Sequence, residues 1–141
     1  MRKLIPVPAG AEPEENTAPG AINDDEARAM ARAVVQLFER WELSDAQAAV
    51  LLGDMSPRTW TRWKRGDIAR LQRDLKTRLS NLMGIHKALR IIFTAPEQGY
   101  GWIRRPNTRF DGQSALDVML NGEITDLMRV RHYLDAERGA W

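Results

Sequence analysis

The sequence contains no cysteine and no hydrophobic run long enough to cross a membrane. Without cysteine, neither a disulfide framework nor a thiolate metal site is available, which is typical of a cytoplasmic protein. A membrane-spanning helix needs about 18 consecutive apolar residues, and no stretch approaches that length. Arg2 and Lys3 are followed by prolines and glutamates instead of an apolar segment, so we expect no secretory signal peptide. These absences favour a cytoplasmic protein without a membrane segment.

Residue groupings typical of enzymes are also missing. The sequence shows no paired carboxylates at catalytic spacing, no activated nucleophile, no phosphate-binding loop and no cluster of metal ligands. Asp117, Asp126 and Asp135 are available as acid–base groups, but they fall among helix-surface charges. An enzyme is therefore the least favoured class, and we expect no cofactor and no metal.

The charged residues are distributed unevenly along the chain. Residues 1–55 carry 5 Lys and Arg against 10 Asp and Glu, residues 56–105 carry 12 against 3, and residues 106–141 carry 4 against 6. A basic block of this size produces a local positive potential, for which a polyanion such as nucleic acid is the natural partner. A solvated basic face without a partner is the alternative interpretation. Binding of RNA is less favoured than binding of DNA, because no RNA-type aromatic motif is present.

The N-terminal part is predicted to be a disordered tail followed by a helix. Residues 1–22 contain four prolines, two glycines and an acidic cluster, without helical or strand periodicity. Asn23 can cap the helix that follows, and Glu26 completes a capping box. Apolar residues then recur with helical spacing at Ala27, Met30, Ala31, Val34, Phe38 and Trp41. We expect this helix to pack against the elements that follow.

Residues 44–66 are predicted to form two short helices around a tight turn. Ser44 caps the first helix, and Gly53 ends it, because glycine adopts a left-handed backbone conformation at the lowest cost. Ser56 caps the second helix, with Pro57 at the first helical position, where the missing N–H is not needed. This arrangement is the sequence form of a helix-turn-helix, whose second helix enters the DNA major groove.

The second of these helices is predicted to have a cationic face and an aromatic face. Helical spacing groups four residues on the cationic face: Arg58, Thr61, Arg62 and Arg65. Trp60 and Trp63 fall on the opposite side, where we expect both indoles to be buried. Arg58 and Arg62 are suited to bidentate contacts with guanine, and Thr61 to a thymine methyl group or a phosphate. Lys64 and Arg65 are expected to contact phosphates.

Residues 43–66 resemble the helix-turn-helix of Cro and phage-repressor (Xre) proteins. The positions that fit the pattern are Leu43, Ser44, Ala49, Leu52, Gly53, Ser56, Thr59, Trp63 and Gly66. The turn has one extra residue, Asp54 and Met55 where one is usual, and Trp60 stands where Ile or Leu is typical. Pro57 also removes a side chain that often reads a base. The resemblance implies DNA binding through Arg58, Thr59, Thr61, Arg62, Lys64 and Arg65.

The following stretch predicts a long helix and then a separate module. Apolar residues recur every three or four positions, which predicts a helix over about 71–93, with Gly84 as the candidate position for a bend. Its apolar stripe can close the core or form a dimer seam, and His86 is interpreted as a residue at the core edge. Residues 96–101 interrupt the pattern. We therefore predict an N-terminal domain at 23–95 and a C-terminal domain at 98–141.

The C-terminal part is predicted to contain a short helix at 115–120, capped by Ser114, and a last helix at about 123–138. It resembles the toxin-binding domain of Xre/MbcA/ParS-type antitoxins. The positions that fit are Trp102 to Asn107, Phe110, Gly112, Ala115, Leu116, Gly122, Val130, Leu134 and Gly139. Ala115 stands where proline is common. The two resemblances together span about residues 25–141.

The combined resemblance implies an all-α protein with a Cro/repressor-like helix-turn-helix domain followed by a small helical toxin-binding domain. Such a protein would be an antitoxin that neutralises a RES-type toxin, an NAD-consuming or ADP-ribosylating enzyme. As a homodimer it would also bind operator DNA to regulate its own operon. A stand-alone helix-turn-helix regulator whose C-terminal region only dimerises is the alternative.

The resemblance also implies which residues contact the toxin. They are Trp102, Pro106, Asn107 and Phe110 and, at the C-terminal end, Glu137, Arg138, Gly139 and Trp141. The C-terminal end of such antitoxins reaches the toxin's active-site cleft. Trp102 is interpreted first as part of a local core beneath the Pro106–Asn107 turn. The indole of Trp141 is a candidate anchor, since aromatic residues in pockets dominate interface energies. A frayed chain end is the alternative for Trp141.

Overall fold

A computed structural model describes residues 22–139, which fold into α-helices joined by short turns. In this part of the chain the helices are α1 (Asp24–Arg40), α2 (Asp45–Leu51), α3 (Pro57–Lys64), α4 (Arg73–Ile92), α5 (Pro96–Trp102), α6 (Ala115–Met119) and α7 (Ile124–Gly139). A 3₁₀ turn covers Thr108–Phe110. An isolated antiparallel bridge joins Pro106 to Ser114. The all-α prediction is confirmed, while the predicted tail up to residue 21 and the last two residues, including Trp141, lie outside the described residues.

The predicted helix caps are present. At the start of α1, the Glu26 amide donates to Asn23 Oδ1 at 2.8 Å, and the Asn23 amide donates to Glu26 Oε1 at 3.1 Å. Ser44 caps α2 in the same reciprocal way. Ser56 Oγ accepts from the amide at the third position of α3. Each cap satisfies amides that have no partner within the helix, which explains why these boundaries follow so closely from the sequence.

One continuous core joins the two halves of the protein, with α4 at its centre. α4 packs against α1 on the N-terminal side and against α5 and α7 on the C-terminal side. The α4 residues that are no more than 2% exposed are Leu79, Leu82, Ile85, Ala88 and Leu89. Both halves bury apolar surface against the same helix, and their buried residues form one cluster. None of the described helices is long and apolar enough to span a membrane.

The prediction of a break at residues 96–101 was wrong, since α5 occupies this stretch. Pro96 is the first helical residue, where proline is favoured, and the Ala95 amide donates to Gln98 Oε1 at 3.4 Å. Gly99 is buried, and a Cβ there would lie 3.2 Å from Leu89 Cβ. The glycine therefore allows α5 to approach α4 closely and does not interrupt the chain.

Gly84 has a packing role of the same kind. α4 continues through it without interruption from Arg73 to Ile92. The guanidinium of Arg131, on α7, crosses α4 at this glycine, and a Cβ on residue 84 would collide with it. Arg131 Nη1 donates to the Ser80 carbonyl at 3.2 Å, and Arg131 Nε lies 3.6 Å from Asp135 Oδ2. The absence of a side chain at Gly84 therefore makes room for the Arg131 side chain between α4 and α7.

Two candidate interaction surfaces

The aromatic side of α3 holds this helix against the rest of the protein. Trp60 and Trp63 are each 4% exposed, as predicted. The Phe38 ring lies 6.0 Å from the Trp60 ring and 5.9 Å from the Trp41 ring, measured between centroids. The buried indole of Trp60 donates from Nε1 to Asp45 Oδ1 at 2.9 Å. These contacts fix the orientation of α3 relative to α1 and α2, so its opposite side faces solvent.

The opposite side of α3 is the predicted cationic face, and it is open. Arg58, Thr61, Arg62 and Arg65 are all exposed and line one shallow hollow together with Pro57. Arg62 Nε lies 3.6 Å from Asp67 Oδ2, and both side chains are more than half exposed. An ion pair as exposed as this contributes little to stability, so Arg62 is free to exchange it for a phosphate or a base.

Lys64 and Thr59 do not belong to this cationic face. Lys64 Nζ lies 3.0 Å from Asp45 Oδ1, on the side of Trp60. Hydrogen bonds from Lys64 and then from Trp60 hold the pKa of Asp45 below its ordinary value. Thr59 is half-buried, and its Oγ1 accepts from Ser56 Oγ at 2.9 Å. The spacing already contained this information, because Lys64 follows Trp60 by four residues and so shares its side of the helix.

The extra residue of the turn is absorbed at the end of α2. Gly53 and Asp54 have φ angles of +83° and +63°, two successive left-handed residues. The amides of Asp54 and Met55 both donate to the Ala49 carbonyl, at 2.8 and 3.1 Å. The chain therefore closes back on α2 before Ser56 begins the cap of α3.

The second surface is built around an aromatic cluster formed by Trp102, Phe110 and Tyr133. Trp102 and Tyr133 are half-buried and stack with an interplanar angle of 5° and a centroid separation of 6.0 Å. Phe110 lies beneath them, edge-on to Tyr133 at 5.3 Å. The guanidinium of Arg109 lies 5.8 Å from the Tyr133 ring centre, and that of Arg129 lies 5.3 Å from the Phe110 ring centre. The expectation of a local core around Trp102 is met, with its outer edge accessible.

The loop over this cluster is shaped by Asn107. Its side-chain oxygen accepts from the Arg109 amide at 2.8 Å, and its carbonyl accepts from the Phe110 and Gly112 amides at 2.9 Å each. Pro106 is exposed beside it. Phe110, by contrast, is only 2% exposed, so it cannot contact a partner unless the cluster opens. Its placement corrects the expectation of direct toxin contact and gives Phe110 a supporting position.

The end of α7 extends beyond the cluster. Glu137 and Gly139 are exposed and Arg138 is half-buried, while Trp141 lies outside the described residues. Tyr133 was not predicted as a site residue. Its position three residues after the buried Val130 could have placed it on the inner side of α7.

Arg104 connects the two halves of the protein, a contact that the sequence did not predict. Its Nη2 donates to the carbonyls of Trp41 and Glu42, at 2.7 and 2.9 Å, across more than 60 residues of chain. These carbonyls belong to the turn between α1 and α2, where Glu42 has a φ of +58°. Arg104, two residues after Trp102 of the aromatic cluster, thereby holds the turn that leads into the helix-turn-helix.

The acid–base candidates have structural partners. Asp117 caps α6 with Ser114, Asp126 accepts from the Glu123 amide at 3.0 Å, and Asp135 pairs with Arg131. Within residues 22–139, no three His, Asp or Glu side chains are grouped so that they could hold a metal ion. His86 is half-buried at the core edge, as predicted.

The fold and the two surfaces define a class: a helix-turn-helix protein with a second helical module packed behind it. Residues 21–84 match the family described as the antitoxin Xre-like helix-turn-helix domain. Residues 88–139 match the antitoxin Xre/MbcA/ParS C-terminal toxin-binding domain. The chain therefore belongs to the Xre/MbcA/ParS antitoxin family.

Two individual proteins are similar to this chain over most of its length. It is 45% identical over 130 residues to the Uncharacterized protein y4oB of Sinorhizobium fredii (strain NBRC 101917 / NGR234), covering 91% of this chain and 98% of that protein. A chain of the crystal structure of the M. tuberculosis MbcT–MbcA toxin–antitoxin complex is 27% identical, with a TM-score of 0.54. That alignment covers 79% of this chain and 95% of the other.

The two matched ranges adjoin inside α4, between residues 84 and 88. This agrees with the position of α4 between the two halves of the core. α4 therefore contributes to the packing of both halves.

Proposed function

We propose that this antitoxin neutralises a RES-type toxin and binds the operator of its own operon as a homodimer, in the cytoplasm. The observation that carries the proposal is that the cationic face of α3 and the aromatic cluster lie on one chain, each with its outer side accessible. On this proposal the protein acts by binding alone and catalyses no reaction.

The DNA-binding part of the proposal rests on α3. Arg58 and Arg62 are exposed on one face of α3 and would make bidentate contacts to guanine, with Thr61 beside them and Arg65 at a phosphate. Lys64, held by Asp45, adds to the positive potential from the edge of the surface. Two copies of α3 in a dimer would read two half-sites about one helical turn apart on a palindromic operator. Binding should weaken steeply as salt concentration rises.

A mobility-shift assay on the promoter fragment of the operon tests this part. At about 0.15 M salt, Arg62→Ala should weaken binding by about tenfold, because a lost base contact costs about 1–3 kcal/mol. Lys87→Ala is the matched control, since Lys87 is an exposed cation of α4 outside the proposed contact surface. If Arg62→Ala binds as tightly as the wild type, the assignment of the reading face is wrong.

The toxin-binding part rests on the aromatic cluster and the end of α7. Trp102, Pro106 and Asn107 would form the base of the contact, with Phe110 supporting them from below. The chain end, including Glu137, Arg138 and Trp141, would reach into the toxin's cleft. The RES class of the toxin and this insertion follow from the family resemblance. Aromatic residues and arginines are the residue types that contribute most of the binding energy at protein–protein interfaces, and both are present on this surface.

Co-expression with the product of the adjacent gene, as the candidate toxin, tests this part. Deletion of residues 139–141 should abolish rescue from toxicity and leave the promoter mobility shift unchanged. Unchanged rescue would exclude insertion of the chain end. A mass measurement on the co-purified complex gives the stoichiometry. Recovery of a free antitoxin dimer alone would favour the stand-alone regulator.

A further inference from the structure

A second group of cations lies next to α3, outside the residues assigned to DNA above. A hollow of about 620 Å³ lies where the chain passes from the turn after α3 into α4. Its cationic residues are Arg70, Arg73 and Lys76. Arg70 and Arg73 are exposed, whereas Lys76 is half-buried. We refer to Arg70, Arg73 and Lys76 as the α3–α4 cationic track.

The cationic track is continuous with the reading face of α3. Arg62 lines the shallow hollow on that face and also lines a smaller hollow between α3 and α4. Arg70 lines this smaller hollow and the larger one. Each hollow therefore shares an arginine with the next, and the three form one stepped surface from α3 to the first turn of α4.

Acidic side chains partly neutralise this surface. Asp24 Oδ2 lies 3.7 Å from Arg70 Nε, and Asp24 Oδ1 lies 3.2 Å from Lys76 Nζ. The hydrogen bond from Lys76 holds the pKa of Asp24 below its ordinary value. Asp67 pairs with Arg62 as described above, and Asp74 is exposed beside Arg73. Arg73 forms no ion pair within residues 22–139, so it is the most available cation of the track.

We propose that the α3–α4 cationic track binds the sugar–phosphate backbone of the operator DNA, with Arg70 and Arg73 as the phosphate contacts. The proposal rests on the DNA binding proposed above. The track adjoins the cationic face of α3, and this favours DNA over an acidic protein segment as its partner. A DNA duplex bound to α3 extends beyond both ends of that helix and so passes over the track. Guanidinium groups match phosphate geometry and carry no sequence information, so the track contributes affinity without base preference.

The test measures fluorescence anisotropy of the full-length protein on the promoter duplex and on a scrambled duplex of equal length, over a range of salt concentrations. Arg73→Ala should weaken binding to both duplexes by the same factor, several-fold at about 0.15 M salt. The slope of log K against log salt should become shallower by about 0.9, the value for one lost phosphate contact. Asp24→Asn should have the opposite effect and tighten binding to both duplexes, because it releases Arg70 and Lys76.

Matched variants distinguish this proposal from DNA binding in general. Lys87→Ala removes the same charge from another part of α4 and should leave the slope unchanged. Arg62→Ala should change the preference between duplexes, which Arg73→Ala should not. If Arg70→Ala and Arg73→Ala behave like Lys87→Ala while Arg62→Ala weakens binding, the track is excluded and the DNA-binding proposal stands.

Two further results would overturn the proposal for the track. If the wild type binds neither duplex, the DNA-binding proposal itself fails. If Arg73→Ala loses toxin co-purification and keeps its DNA affinity, the track binds an acidic protein surface instead. Arg73→Gln, which keeps the polar side chain at the exposed start of α4, repeats the measurement if the alanine variant is less stable by thermal unfolding.

Discussion

The two surfaces use arginines and aromatic rings in opposite ways. In α3 the indoles of Trp60 and Trp63 are buried, and the arginines project into solvent with few partners. In the aromatic cluster the rings of Trp102 and Tyr133 reach the surface, and arginines lie against rings. A surface of free cations suits a polyanion, whose binding is dominated by charge. A surface of rings and partnered arginines suits a protein, whose binding depends on aromatic anchors.

The two surfaces also differ in how they are held in place. α3 is oriented by side chains of α1 and α2 through Phe38 and Asp45. The aromatic cluster is held by a loop whose own amides converge on Asn107. The halves then meet through α4 and through Arg104. A change confined to one surface can therefore alter the other through the shared core.

Phe110→Ala should give the largest effect. Removing a ring that is 2% exposed leaves a cavity beneath Trp102 and Tyr133, at a cost of about 3–5 kcal/mol in free energy of unfolding. Toxin co-purification should be lost. Chemical denaturation gives the stability, and Phe110→Leu, which fills most of the space, should retain the larger part of it. Wild-type stability in Phe110→Ala would show that the cluster is not part of the core.

If the two surfaces were independent, Phe110→Ala would leave the unfolding of α3 unchanged. The continuous core predicts instead a single unfolding transition in which the tryptophan fluorescence and the far-UV circular dichroism change together. Separate transitions would show that the C-terminal part unfolds independently of α3.

Arg104→Ala should have an intermediate effect and tests the link between the halves. It removes two hydrogen bonds from a charged donor to the carbonyls of Trp41 and Glu42, and bonds of this type contribute about 1.5–3 kcal/mol each. Because one of these carbonyls is solvent-accessible, we expect a total loss near the lower end of that range. Arg105→Ala, the exposed neighbour, is the control and should stay within about 0.5 kcal/mol of the wild type. Equal stabilities of the two variants would mean that Arg104 does not hold the turn.

The features that could be predicted from the sequence are those set by neighbouring residues. Ser44, Ser56 and Asn23 cap helices through amides three positions away, and the spacing of Trp60 and Trp63 defines a buried side. The order of the two domains followed in the same way from local motifs. These features depend on contacts within one or two helical turns, which the linear pattern contains.

The features that could not be predicted depend on contacts between distant residues. Gly84 is a candidate bend and residues 96–101 a break in the sequence pattern, whereas Gly84 and Gly99 each make room for a side chain or helix that the local sequence does not specify. The bonds of Arg104 and the pairing of Lys64 with Asp45 join residues far apart in the sequence. Their partners become known only when the helices are packed.

His86 should give the smallest effect, through the pH dependence of stability. Burial, and then the charges of Arg90 and Arg40, lower the pKa of His86 from its ordinary 6.5. The unfolded chain therefore binds the proton more readily than the folded one. The stability of the wild type should be fully present above about pH 6.5 and should decrease as the pH falls below that value, until it levels off beneath the folded-state pKa. His86→Gln should flatten this part of the profile. Asp24 and Asp45, whose pKa values are lowered from 3.8, act in a separate window below about pH 4.

Because His86 lies on α4, which both surfaces share, the same small loss of stability at low pH should appear in unfolding followed from either half. A pH dependence seen in only one of them would mean that α4 does not couple the two regions.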